Sequence, residues 1–139
     1  MNILQHSNED YYSLLKDWLN AILKNQTIVL VKQIEEISRL GRENQKQFLR
    51  YFNHLIEEAV NYRILSQNDL NYSDQLPERE RDFIPKINRI MTIEQQNSLI
   101  HELDQAAYYI ERNANAKILF HALSIKIFHI VKNNVLVHN

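Results

Sequence analysis

The sequence predicts an all-α protein, a single helical bundle of about five to six helices, and three observations carry that expectation. First, its 139 residues include one Gly, two Pro and no Cys, where Gly and Pro ordinarily supply about 7% and 5%. Strand turns and phosphate-cradling loops need glycine for left-handed or close-approach backbone, so sheets, dinucleotide fingerprints and nucleophile elbows are excluded. Second, apolar residues recur at intervals of three and four along most of the chain, the period of one helix face. Third, the length is that of one domain, able to bury roughly two-thirds of its unfolded surface. The missing Cys also removes thiolate zinc sites, iron–sulfur clusters, disulfides and Cys nucleophiles.

The elements follow in order. Ser7 with Asp10 forms a capping-box pattern, and Tyr11, Leu14, Leu15, Trp18, Leu19, Ile22 and Leu23 line one face of a helix over about residues 8–25. A second helix over about 28–40 turns Leu30, Val31, Ile34 and Ile37 inward, and Gly41 stands where a left-handed C-terminal cap belongs. The third and longest covers about 42–65, burying Phe48, Phe52, Leu55, Ile56 and Ala59, widened by Leu49, Tyr51 and Tyr62. Residues 66–82 lose the period and read as the long loop, with a short helical turn starting at Pro77. Phe83, Ile84, Ile87, Ile90 and Met91 then suggest a short apolar segment interrupted by Pro85. Thr92 with Gln95 is a second capping box, opening a helix with Leu99, Ile100, Leu103, Ala106, Ala107 and Ile110 on one face. Asn113-Ala-Asn115 breaks it and caps a final helix over about 116–132, apolar in nearly every direction. Such a helix is either internal or turned in part toward a neighbouring subunit.

Chemistry is sparse. His54 and Glu58 share a helix side at i,i+4, but Glu-x-x-His repeats and a completed H-E-x-x-H are missing, so a metal-dependent bundle enzyme has little to build on. Adjacent pairs such as Glu35-Glu36 point about 100° apart, and Ser13, Ser38, Ser98 and Ser124 lie in helix bodies where no nucleophile elbow forms. The reading is therefore a non-enzymatic domain with no metal, cofactor or small-molecule substrate. Net charge is −1, distributed as −2 over residues 1–38, +2 over 39–63, −5 over 64–111 and +4 over 112–139. Arg39, Arg42, Lys46 and Arg50 advance by three or four as a basic ridge able to touch phosphate, although no aromatic residues for base stacking are interleaved with them. The longest apolar runs, such as Ile28 to Val31, fall far short of the roughly 20 residues a bilayer span requires. Without a signal-peptide pattern at the N-terminus, the expected location is the cytoplasm.

Two stretches carry a resemblance beyond periodicity: LGRENQKQFLRYF, Leu40 to Phe52, and AAYYIERNANAKILFHALSIKIF, Ala106 to Phe128. The second resembles the closing helix pair of bacterial clamp-loader subunits, where a helix ends in an Asn-x-Asn step followed by Lys or Pro and a Leu-rich helix. Together they are similar to the C-terminal collar domain of the delta-prime type in DNA polymerase III, over about Tyr11 to Lys132. The gamma/tau type ends its collar with a related step and is the alternative within the family.

The resemblance implies a collar domain that works by protein–protein assembly in DNA replication. Its partners are the gamma/tau and delta collars, and it meets DNA only through the assembled complex. It further implies that the AAA+ module, with its trans-acting arginine and zinc-binding cysteines, belongs to N-terminal domains, this chain being a C-terminal domain with Met1 as an added start. Gly41, Asn113 and Asn115 are expected to set helix angles as caps. Lys117, His121, Ser124, Ile125, Phe128 and His129 are the expected subunit interface. An autonomous helical nucleic-acid-binding module using Arg39, Arg42, Lys46 and Arg50 is the rival from another class.

Overall fold

The computed structural model describes residues 8–65 and 76–137, and the described residues form six helices and no strand. They are α1 (Asn8–Leu23), α2 (Thr27–Ser38), α3 (Arg42–Leu65), α4 (Glu78–Ile90), α5 (Ile93–Glu111) and α6 (Ala116–Val137). The Ser7 cap and most of the long loop lie outside the described residues. α3 is the hub, packing on α5, α4 and α1, while α6 closes the bundle against α5, α2 and α1.

The core is built around an aromatic cluster. Trp18 on α1 stands 5.7 Å from Phe48, 5.9 Å from Phe52 and 5.6 Å from Phe120, ring centre to ring centre. Tilted and edge-on pairs at these separations add about 0.5–1.5 kcal/mol each beyond area burial. Leu15, Ile34, Ile37, Leu55, Ile56, Ile84 and Leu99 fill the space around them and are also fully buried.

Three turns set the helix angles. α1 ends in a Schellman motif: Asn25, at φ 55°, donates its N–H to the Ile22 carbonyl, and Gln26 donates to that of Ala21, both at 3.1 Å. α5 ends the same way, with Asn113 at φ 66°, its N–H on Ile110 O at 3.1 Å, and Ala114 N–H on Tyr109 O at 3.0 Å. Asparagine tolerates the left-handed conformation this motif demands better than other side chains with a Cβ.

The third turn corrects the expectation for Gly41. It does not close α2, which ends at Ser38 with Arg39 in right-handed conformation. Instead Gly41, at φ 85°, opens α3 by accepting the Gln45 N–H at 2.9 Å. Nothing lies within 4 Å of where a Cβ would stand, so the dihedral and not space calls for glycine. The turn brings Gln45 back over α2, where its amide donates to the Ile37 and Ser38 carbonyls at 3.1 and 3.2 Å.

α4 departs most from expectation. Instead of a loop with one helical turn and a separate segment, it is a single helix running through Pro85. A proline inside a helix costs about 3 kcal/mol. Opposing that cost, Glu80, Phe83, Ile84 and Ile87 form one buried stripe against the bundle. Asn88 then ties α4 to its neighbours, donating to Ala59 O at 2.9 Å and accepting from Gln96 at 2.6 Å and Arg63 at 3.2 Å. The Thr92–Gln95 capping box forms as expected, and Gln95 also reaches Ile130 O on α6 at 2.7 Å. No helix among the described residues is long and apolar enough to cross a membrane.

Candidate interaction surface

α6 is neither internal nor uniformly exposed. Phe120, Leu123, Ser124, Ile127 and Val131 are buried, while Ile118 is 70% and Ile125 59% exposed. At 100° per residue, Ile118, Ala122, Ile125, His129 and Lys132 fall within one outward sector of the helix, and all five are exposed. The general apolarity of α6 therefore divides into a buried stripe and an open ridge.

α2 extends the open face. Ile28 is 76% and Val31 42% exposed, so the inward placement expected of Val31 is wrong. Within the apolar run Ile28 to Val31 the side chains point in every direction, and only Leu30 shares the side of Ile34 and Ile37. Ile28, Val31 and Glu35 recur at three and four on one side of α2, and Glu35 meets Lys117 of α6 at 2.8 Å. Near the start of α2, Leu30 lines a cavity of about 240 Å³ with Ile22, Ile125, Phe128 and His129. α2 and α6 therefore run antiparallel, with an apolar groove between them. On the other flank of α6, Ala106, Tyr109, Ile118, Leu119 and Ala122 line a second cavity of about 210 Å³ against α5.

Of the expected interface residues, Lys117, His121, Ile125 and His129 are exposed and Phe128 is half-buried in the groove wall. Ser124 is a correction. Only 2% exposed, it accepts the Trp18 indole N–H at 2.9 Å and donates to Phe120 O at 2.6 Å. It belongs to the core because it lies on the α1 side of α6, directly over Trp18. The Lys117 ammonium, hydrogen-bonded to Glu35, holds that carboxyl below its ordinary range, with Arg39 and His121 reinforcing it. Sequence reasoning missed Ile28, Val31 and Ile118 as surface residues. The signal was present in that four consecutive apolar residues cannot all face inward on one helix.

Asn115 is the N-cap of α6, its Oδ1 accepting the Ile118 N–H at 3.0 Å. Asn113 combines its left-handed backbone with a side-chain oxygen that accepts from Arg42. The basic ridge is accordingly engaged at several points. Arg42 bonds Asn113, Arg39 lies 3.8 Å from Glu35, and Lys46, only 12% exposed, sits 3.4 Å from both Glu43 and Glu111. Arg50 borders a groove with Asn53, Asp104, Tyr108 and Glu111, so the structure supplies one aromatic neighbour and two carboxylates there. His54 is exposed, and among the described residues no group of three or more His, Asp or Glu is placed to hold a metal ion.

Buried ionisable groups cluster instead where α1, α3 and α4 meet. Burial raises the pKa of Glu80 despite the nearby Arg79 and His54, with Glu58 adding to the rise. Burial likewise pushes the Tyr51 phenol up to about 12, against the opposing pull of the Arg79 guanidinium beside its hydroxyl.

Fold and surface together define a class: a helical bundle with exposed aliphatic side chains on two adjacent helices. No protein-family model, curated protein or solved structure matches the chain.

Proposed function

We propose that this chain is a protein–protein assembly domain, and that the assembly is a bacterial DNA polymerase III clamp loader in which it serves as a delta-prime-type collar domain, with the gamma/tau-type collar as the alternative. The observation that carries the assembly reading is the open α2–α6 face, where Ile28, Ile118 and Ile125 present large aliphatic side chains to solvent. Exposed apolar side chains that repeat on one helix face, as Ile118, Ala122 and Ile125 do, support a contact site. The clamp-loader reading draws on the resemblance around Glu111 to Lys117. Those residues form a cap-to-cap turn, Asn113 closing α5 and Asn115 opening α6. In this role the domain catalyses nothing, binds no cofactor and meets DNA only through the complex, in the cytoplasm. A direct nucleic-acid role for the basic ridge has less support, because Arg42 and Lys46 already bond partners within the domain.

The test is to mix the chain with gamma/tau and delta collar domains at micromolar concentration on a size-exclusion column. A co-eluting complex is expected. Separate elution overturns the clamp-loader reading.

A further inference from the structure

A cavity of a different character lies between α1 and α4. Leu19, Leu23, Phe83, Ile87 and Ile90 form the apolar part of its lining, around a volume of about 200 Å³, and Leu19, Phe83 and Ile87 among them belong to the buried core. Tyr12 bounds one end, its ring edge-on to Phe83 at 5.7 Å and its hydroxyl donating to Arg79 O at 3.0 Å. Three charged side chains also line the cavity, Lys16 on the α1 wall and Asp82 and Lys86 on the α4 wall. All three are exposed, and among the described residues none of them forms an ion pair. Lys16 instead lies 5.4 Å over the Tyr12 ring, a contact that positions an ammonium without cancelling its charge. Asp82 stands toward the Tyr12 end, where it adds to the rise in the phenol's pKa that burial begins.

We propose that this cavity binds a medium-chain fatty carboxylate, its alkyl chain against the apolar lining and its headgroup at the rim within reach of Lys16 and Lys86. The site goes beyond the assembly reading and does not depend on it, since none of its lining residues belongs to α2 or α6. Sites for small ligands combine a mostly apolar lining with a few polar groups that fix orientation. An apolar cavity of about 150 Å³ holds benzene. One of about 200 Å³ therefore admits a chain of about eight carbons.

Charge selects the headgroup. Two ammoniums and one carboxylate leave the rim with a net charge of +1, and complementary charge favours a ligand where like charge disfavours it. A carboxylate monoanion balances that excess. A phosphate monoester, at about −1.5 to −2 near pH 7, sets its surplus against Asp82, and an alkylammonium meets two like charges. Asn20, one turn beyond Lys16 on the same wall, adds a neutral amide able to donate to a carboxylate oxygen.

The test titrates octanoate and octylammonium, below micelle-forming concentrations, into the isotopically labelled full chain and follows backbone amide shifts by NMR. Octanoate is expected to bind at least about tenfold tighter than octylammonium, with the preference shrinking as salt rises. The amides of Leu19, Phe83 and Ile87 should move most. Lys16→Gln combined with Lys86→Gln is expected to weaken octanoate binding about tenfold, and Asp82→Asn to tighten it. All three positions are exposed, and circular dichroism checks that the variants keep their helicity. Equal binding of the two amphiphiles, no octanoate binding at millimolar concentration, indifference to the paired lysine substitution, or weaker binding by Asp82→Asn overturns the proposal. So do shifts centred on the α6 cavities, which would place octanoate on apolar surface elsewhere. Octyl phosphate binding tighter than octanoate overturns the choice of a carboxylate.

Discussion

Trp18, the only tryptophan, donates its indole N–H to Ser124 across 2.9 Å of the interior, linking residues 106 positions apart. Removing the acceptor leaves a buried donor unsatisfied, which costs about 1–3 kcal/mol. Ser124→Ala is expected to lower the unfolding free energy measured in urea by that amount and to shift the tryptophan emission. Unchanged stability and emission would show that the bond contributes nothing.

The turn between α5 and α6 separates backbone from side-chain effects. Asn113→Ala keeps a Cβ at φ 66° but loses the short polar side chain that eases this conformation, costing up to about 1–2 kcal/mol, whereas Asn113→Gly adopts the dihedral without a Cβ and loses only the contact with Arg42. Asn115→Ala removes the N-cap of α6, for about 1 kcal/mol. Thermal unfolding should therefore rank Asn113→Gly above both alanine variants. The reverse order would contradict the Schellman assignment.

Glu80 makes stability depend on pH in a defined direction. Burial first, then Glu58, raise its folded pKa above the ordinary 4.5, against the pull of Arg79 and His54. The folded state then binds the proton more tightly, so its contribution is complete below the ordinary value and is lost as pH rises through the folded value. The always-neutral Glu80→Gln should melt higher than the parent at pH 7 and converge with it at about pH 4. A variant melting lower at pH 7 would mean that the charged form is the stabilising one.

Tyr51 offers a related test at the alkaline end. With its pKa pushed from 10.0 to about 12 by burial, it contributes fully below the ordinary value, and that contribution is lost as the phenol ionises on the way to 12. The Arg79 guanidinium lies beside its hydroxyl without a hydrogen bond of ordinary geometry, so Tyr51→Phe should change stability by no more than about 1 kcal/mol in either direction. It should also remove the last-titrating group in a phenolate absorbance titration. A loss larger than that would mean that the Arg79 contact acts as a full hydrogen bond.

Local signals were legible where chemistry and period coincide. The bounds of α3 and the Thr92–Gln95 box follow from the sequence because a long amphipathic stripe and a reciprocal cap are each complete within a few turns. Pro85 misled, because its local cost is offset by the packing of Phe83, Ile84 and Ile87 on other helices, which no window along the chain contains. Gln45 and Gln96, polar and buried, were equally illegible, since their bonds run to α2 and α4.

The same division applies to the candidate surface. Composition and period alone determine that this chain is a helical bundle with little glycine for other architectures, that α6 is apolar beyond the needs of one face, and that it is basic. Only the tertiary structure decides how that apolarity is divided, with Ser124 and Phe120 inward over Trp18 and Ile118 and Ile125 outward. The reason is physical. A helix that is apolar all round has no preferred rotation of its own, and its rotation in the bundle is set by the neighbours it packs against.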